Sequence, residues 1–427
     1  VESASIGPVQ QEERYVLMDV VRGFALFGVL AANMRSFNLP MQVYETPEKF
    51  FAGGVDVWAQ SLLNVFISTK FYTLFAFLFG LGFAIQMTRA QARSNLFPKF
   101  YLRRLAALAV FGLIHGILIW NGDILFAYSL GGFLLFWFRN AKLKTVRNWI
   151  VSLWGFSTAV LTAQWIAQHL GIKLHVGVAI GQGAGPKLAD VRSVISVYAH
   201  AHLVGTVRET ALQYFGGHFP SHAHPFEWMT EYLAPNCVLG AVSVSIFLLG
   251  LWVWRKGVLQ DLPRFRPSLG RVCAWTLPLG LFLNAAAEIH FHLIGPVPPH
   301  ARPPFGVLLS DYAGFLGVPI LSCGYATLLA LLFTSQRRGW VLWLAPVGRM
   351  ALTNYLTQSI VCVAFYSGMV TGLYGRVGPA WDFVATLALY SAQICFSHWW
   401  LARYRFGPME WLWRTLTYGK PPAMRIA

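Results

Sequence analysis

The chain has 427 residues, 56% of them hydrophobic and 12% charged, with a mean hydropathy of +0.52 and a net charge of +16. Soluble domains carry about 25% charged residues, so an ordinary soluble enzyme is excluded. The basic residues fall in short connections beside apolar runs, where they set membrane topology and meet anionic lipid, which argues against nucleic acid as a partner.

Residues 1–14 contain no apolar signal region and are expected to be a cytoplasmic segment, leaving the first span as its own insertion signal. About 20 helical residues cross a hydrocarbon core of about 30 Å. Ten apolar runs meet that length approximately, near 15–34, 71–90, 101–120, 123–139, 146–170, 230–254, 271–291, 307–334, 340–366 and 380–402. The predicted fold is therefore all-α, a polytopic membrane helix bundle of about ten transmembrane helices with one long outer loop. It divides into an N-terminal half at 15–170, an outer histidine-rich loop at 171–229, a C-terminal half at 230–402 and a tail at 403–427. Lys and Arg are concentrated after the second, fourth, sixth and eighth runs and in the tail, which predicts that both termini are cytoplasmic.

Ionisable groups inside apolar runs are costly and mark candidate sites. In "RYVLMDVVRGFALFGVL", Asp19 and Arg22 are three apart and share a helix face. They suit either a structural ion pair or a cation that receives a phosphorylated donor. In "GLIHGILIWNGDILFAY", His115 lies five residues before Trp120 and Asp123 follows in a tight turn. Asp123 suits a cap on the next helix. His115 suits either a histidine satisfied within the bundle or a general base near neutral pH.

Ten of the twelve histidines fall in or beside the predicted outer loops, six of them in the outer segment, which contains "AHAH", "SHAHPFE" and an amphipathic middle expected to form a helix near the membrane surface. No catalytic zinc spacing such as HExxH occurs, and no metal site is predicted. The five cysteines all lie in apolar runs without CxxC spacing and read as small core residues. Further along, Glu288 and His292 are four apart, Asp311 opens the eighth run, and "APVGRMALTNYLTQS" strings Arg349, Asn354 and Gln358 after a Pro-Gly interruption. Such an interruption frees backbone groups where a polar ligand is bound. No Walker A, GxGxxG or GxSxG pattern is present, so ATP-driven transport and a serine-hydrolase mechanism are unsupported.

Five stretches, "LMDVVRGFALFGVLAANM", "FYTLFAFLFGLGF", "RRLAALAVFGLIHGILIWNGDILFAYSLGG", "GRMALTNYLTQS" and "FSHWWLARYRFGPMEWLWRTLTYGK", resemble in order the motifs of the YeiB family. The C-terminal half of that family is the DUF418 domain. The resemblance implies membership of the transmembrane acyltransferase superfamily, with acyltransferase-3 proteins and lysosomal heparan-glucosaminide N-acetyltransferase. Better known members move an acyl group from a cytoplasmic acyl-CoA to an acceptor, often a sugar, across the membrane. The early arginine-to-histidine spacing of acyltransferase-3 proteins is absent: after Arg22 the next histidine is His115.

The resemblance thus implies a multi-pass protein of the bacterial inner membrane. It also implies no permanently held cofactor and acyl-CoA as the expected donor substrate. His115 and Asp123 are the expected catalytic residues, with Asp19, Arg22, Arg349 and Asn354 at the donor and Glu288, His292, Asp311 and Gln358 lining the polar cavity. Expected partners are membrane lipid, the donor, an outer-side acceptor and, in one arrangement, a second copy in a homodimer. The alternatives are a non-enzymatic transporter or exporter of a small metabolite or lipid, and an envelope scaffold.

Overall fold

The computed structural model describes residues 15–40, 51, 53–93, 97–171, 188–218, 234–295 and 301–426. Its helices, in chain order, are α1 (Val16–Asn38), α2 (Gly54–Phe66), α3 (Lys70–Arg93), α4 (Phe97–Leu118), α5 (Leu125–Trp137), α6 (Leu143–His169), α7 (Leu188–His200) and α8 (Leu203–His218). Then follow α9 (Ala234–Arg255), α10 (Leu262–Ile294), α11 (Phe305–Phe333), α12 (Arg338–Leu342), α13 (Ala345–Arg349), α14 (Ala351–Tyr366), α15 (Pro379–Leu401) and α16 (Pro408–Tyr418). The chain is an α-helical, multi-pass membrane protein: among the described residues seven helical segments are long and apolar enough to cross a bilayer, the second of them running through α2 and α3.

The remaining expected spans are helical but unlike those seven. α5 has 13 residues, about 20 Å of helix. The 340–366 run is broken into α12, α13 and α14, and α15 carries buried Asp382, Gln393 and Ser397. α2 precedes the second expected run; Asp56, Gln60 and Asn64 kept it from reading as a span. The outer segment forms two helices, α7 and α8, where one was expected.

α1 is the hub. It is buried over most of its length, polar residues such as Asp19 and Asn33 included, and α3, α13, α14 and α15 pack on it. The α13 contact is backbone to backbone: a Cβ on Gly348 would lie 1.8 Å from the Asp19 carbonyl oxygen, and one on Gly23 would lie 2.2 Å from that of Leu344. Only glycine fits there, which places the Pro-Gly break of the chain against the first turns of α1. Asn354 Nδ2 donates to the Val347 carbonyl at 3.2 Å, satisfying a group near the break.

Connections rich in arginine meet at one end of the bundle. Arg89 lies over the Tyr15 ring at 5.6 Å, Arg103 donates to the Leu416 carbonyl, and Arg255 donates to the carbonyls of Phe138 and Arg139. The opposite end is capped by α7 and α8. Tyr198 of α7 stacks on Tyr374 with centroids 4.7 Å apart, and the Gly368 N–H donates to the Tyr198 carbonyl at 3.0 Å. Asn121 donates to Gln213 of α8 at 3.1 Å.

Candidate functional site

His115 is on the last turn of α4, and a short turn returns the chain to α5, bringing Asp123 back beside it. His115 Nδ1 and Asp123 Oδ1 are 2.9 Å apart, and each side chain is only 1% exposed. Asp123 Oδ2 accepts from the Phe126 N–H at 2.8 Å, so the same carboxylate caps α5. One oxygen of Asp123 thus meets His115 while the other meets the α5 backbone. Gly112 makes this approach feasible, because a Cβ there would lie 2.7 Å from Asp123 Oδ2 and 2.3 Å from the Phe126 nitrogen. Gly116, one turn on, admits Tyr214 of α8, whose Cε2 would be 2.6 Å from an added Cβ.

A carboxylate can only accept. When Asp123 is ionised the shared proton sits on His115 Nδ1, and in the neutral imidazole Nε2 then carries the lone pair. Nε2 is buried and has no hydrogen-bond partner among the described residues. Unpaired buried nitrogens are costly and uncommon in finished cores, which makes this one a candidate contact for a bound group.

A 230 Å³ cavity approaches the pair from the arginine end. Its entrance is lined by Arg22, Arg104, Arg349 and Arg414 with Gln86 and Glu410; its far end is closed by Ile124, Leu125, Tyr128 and Tyr355. Ile124 and Leu125 directly follow Asp123. The Tyr355 ring is 5.2 Å from that of His115, so the cavity stops one side chain short of the imidazole. Arg22 pairs with Asp19 at 3.2 Å, as their spacing predicts. The Arg104 guanidinium lies 3.5 Å from the Trp413 ring centroid and Arg349 donates to the Arg405 carbonyl.

Glu410 is the acidic residue among these arginines, and it anchors the broken helix. Its Oε1 accepts from the N–H groups of Leu352 (2.6 Å) and Thr353 (3.1 Å), and Oε2 accepts from Thr353 Oγ1 at 2.6 Å. Thr353 Oγ1 in turn accepts from the Met409 N–H at 3.1 Å. The first turn of α14 is thus capped by α16, a carboxylate at a helix N-terminus. Burial pushes the Glu410 carboxyl above its ordinary range, while the Thr353 and Leu352 hydrogen bonds pull the other way.

The other sequence candidates lie elsewhere. Asn354 donates to Ser397 Oγ at 3.0 Å, and Gln393 joins it to Gln358, accepting from Gln358 at 2.8 Å and donating to the Asn354 carbonyl at 3.0 Å. That network ties α14 to α15 and does not line the arginine cavity. Glu288 and His292 face α2, where Asn64 donates to Glu288 at 3.2 Å and Ser61 Oγ lies 2.8 Å from His292 Nε2. Asp311 is exposed on α11. Among the described residues no cluster of His, Cys, Asp and Glu has metal-holding geometry; His222, His224, Glu227 and Glu231 lie outside them.

Arg104, Arg414, Gln86 and Glu410 were not among the candidates. Arg104 and Arg414 read as topology markers, yet Arg104 directly precedes the long apolar part of α4, and Glu410 lies at the start of a short amphipathic helix just after "RFGP". Those are the signals that single them out.

A family profile described as "Protein of unknown function (DUF418)" matches residues 253–420. The chain is 34% identical over 441 residues to "Uncharacterized protein YxaH" of Bacillus subtilis (strain 168), covering 97% of each chain. It is 29% identical over 410 residues to "Uncharacterized protein YeiB" of Escherichia coli (strain K12), covering 95% of this chain and 96% of the relative. A 39.9 kDa protein encoded in the amylase 3′ region of Bacillus acidopullulyticus is 27% identical over 418 residues.

Proposed function

Since the chain belongs to the YeiB family and carries that family's DUF418 region, we propose that it is an acyltransferase that moves an acyl group from a cytoplasmic acyl-CoA to an acceptor near the opposite face of the membrane. The observation that carries this reading is the course of the arginine cavity. Four guanidinium groups at its entrance converge on one volume, and its closed end reaches the residues flanking a buried histidine–aspartate pair.

Guanidinium groups bind phosphate bidentately, so the entrance suits the phosphates of coenzyme A. The volume is narrow and its inner walls aromatic, which suits the slender thioester arm with the nucleotide left at the arginine end. His115 Nε2 takes the proton of the acceptor hydroxyl or amine. The freed oxygen or nitrogen bonds to the thioester carbonyl carbon, the C–S bond breaks, and the thiolate receives the proton from His115. Asp123 holds the imidazole in the competent tautomer and steadies the imidazolium between the two transfers. The concentration of Lys and Arg supports placing the arginine end, and with it both termini, in the cytoplasm, and the inner membrane as location.

The test is binding followed by chemistry. Acetyl-CoA is expected to raise the melting temperature of the purified chain, and that rise is expected to shrink in Arg104→Gln. Unchanged melting with acetyl-CoA and longer acyl-CoAs, together with passage of solutes across vesicles holding the protein, would overturn the reading in favour of a transporter.

A further inference from the structure

A second opening reaches His115, and it differs in kind from the arginine cavity. Between α4, α14, α15 and the start of α16 lies a groove of 580 Å³, with His115 in its wall. Its rim includes Ile114, Ile360 and Phe396, which are 49%, 52% and 41% exposed. Ile114 lies on a helix long and apolar enough to cross the bilayer, and Ile360 and Phe396 face the groove from α14 and α15, so the rim is apolar and suits a hydrocarbon chain. The groove runs from Thr353 to Ile360 along α14 and from Leu389 to Phe396 along α15, about 10 Å of helix.

The polar side chains of its wall are already used within the protein. Thr353 donates to Glu410, Thr357 to the Thr353 carbonyl at 2.7 Å, Asn354 to Ser397 and Gln393 to the Asn354 carbonyl. His115 Nε2 is the buried side-chain atom of the wall that lacks a partner among the described residues. With Nδ1 committed to Asp123, Nε2 lies on the far edge of the ring. Approach from the cap end is closed: Tyr214 rests on Gly116, Gln213 holds Asn121, and Trp120 Nε1 donates to the Ser36 carbonyl at 3.3 Å. The space left there is about 20 Å³, room for about one water.

We propose that the acceptor is a lipid: an amphiphile bearing a hydroxyl or amine that enters sideways from the bilayer, lays its hydrocarbon chain in this groove and presents its head to His115 Nε2. The inference rests on the acyl-transfer reading and specifies its substrate. The acceptor's O–H or N–H proton passes to Nε2, the new bond forms to the donor's acyl carbon, and the thiolate leaves on the arginine side with that proton. Product departs into the membrane as an acylated lipid. Donor and acceptor thus approach one imidazole from two sides, one through water and one through lipid.

Two measurements on the purified full chain separate this from the acyl-transfer reading. Acylation of hexadecylamine and of butylamine is followed with acetyl-CoA, and a diazirine-bearing hexadecylamine is photo-crosslinked in the absence of donor. Ala392 lies on the lipid-exposed side of the groove wall, so Ala392→Trp fills the groove without disturbing the interior; Ile360→Trp is the second variant should the first be poorly folded. The proposal expects crosslinks on α14 and α15 that fall at least tenfold in either variant. It also expects the kcat/KM ratio of hexadecylamine to butylamine to fall at least tenfold. Crosslinks indifferent to both variants, or an unaltered ratio, would overturn the lipid acceptor while leaving acyl transfer standing. No CoA release with either amine, despite crosslinks in the groove, would instead overturn acyl transfer and the acceptor role with it.

Discussion

The rings of Tyr355 and His115 lie 5.2 Å apart, centroid to centroid, and form the partition between an arginine-lined cavity and an apolar groove. On the proposed acyl-transfer reading, a thioester carbonyl on one side of this partition meets a nucleophile on the other, so Tyr355 would have to yield or frame the opening. Tyr355→Phe keeps the ring and is expected to preserve transfer to within about tenfold. Tyr355→Trp blocks the partition and is expected to abolish CoA release while leaving acetyl-CoA binding by calorimetry in place.

Removing the base should cost more than removing its orienter. His115→Ala is expected to lower kcat by about 10²–10⁴-fold, the usual range for a positioned general base. Asp123→Asn keeps an oxygen for the Phe126 N–H and is expected to lose about 10²-fold through the wrong tautomer. Asp123→Ala also loses the cap of α5, a further cost of about 1 kcal/mol in stability. CoA release measured against melting temperature distinguishes the two kinds of loss.

This pair was legible in the sequence because burying His115 and Asp123 in so apolar a stretch demands a reason, and a turn of only a few residues can return one to the other. Asp19 and Arg22 were legible from their spacing alone. Arg104, Arg414 and Glu410 were not, because a basic residue near a helix end has an ordinary explanation in membrane topology. Their convergence depends on α16 folding back against α4 and α14, a long-range contact that local periodicity does not encode. Asn354 illustrates the reverse case: polar and central in a motif, it is spent on Val347 and Ser397.

The arginines of the entrance are expected to act on donor affinity. Arg104→Gln and Arg414→Gln each remove a charged hydrogen-bond donor, worth about 1.5–3 kcal/mol, or about 10- to 150-fold in the Kd for acetyl-CoA. Titration calorimetry measures this directly. An equal loss with dephosphorylated pantetheine esters would count against phosphate as the group recognised.

Gly112→Ala is expected to eliminate transfer, since the added methyl meets the Asp123 carboxylate and the Phe126 backbone. Overpacking of this sort costs about 1–3 kcal/mol. Gly155 on α6 has open space about it and supplies the control: Gly155→Ala should retain both activity and melting temperature.

Glu410→Ala leaves the N–H groups of Leu352 and Thr353 without their acceptor, a loss of about 1–3 kcal/mol for each buried donor. The start of α14 is expected to loosen, with faster hydrogen exchange at residues 351–354 and weaker donor binding. Glu410→Gln retains one acceptor oxygen and should fall between the variant and the native chain.

The entrance to the cavity joins Arg22 of the first helix to Arg414 of the last, and the same closing helix caps the break beside α1. During translation, the first helix enters the bilayer long before residue 414 leaves the ribosome. On the acyl-transfer reading proposed above, the donor site forms only once α16 has packed against α4 and α14, so a nascent chain whose earlier apolar segments are already inserted would still lack it.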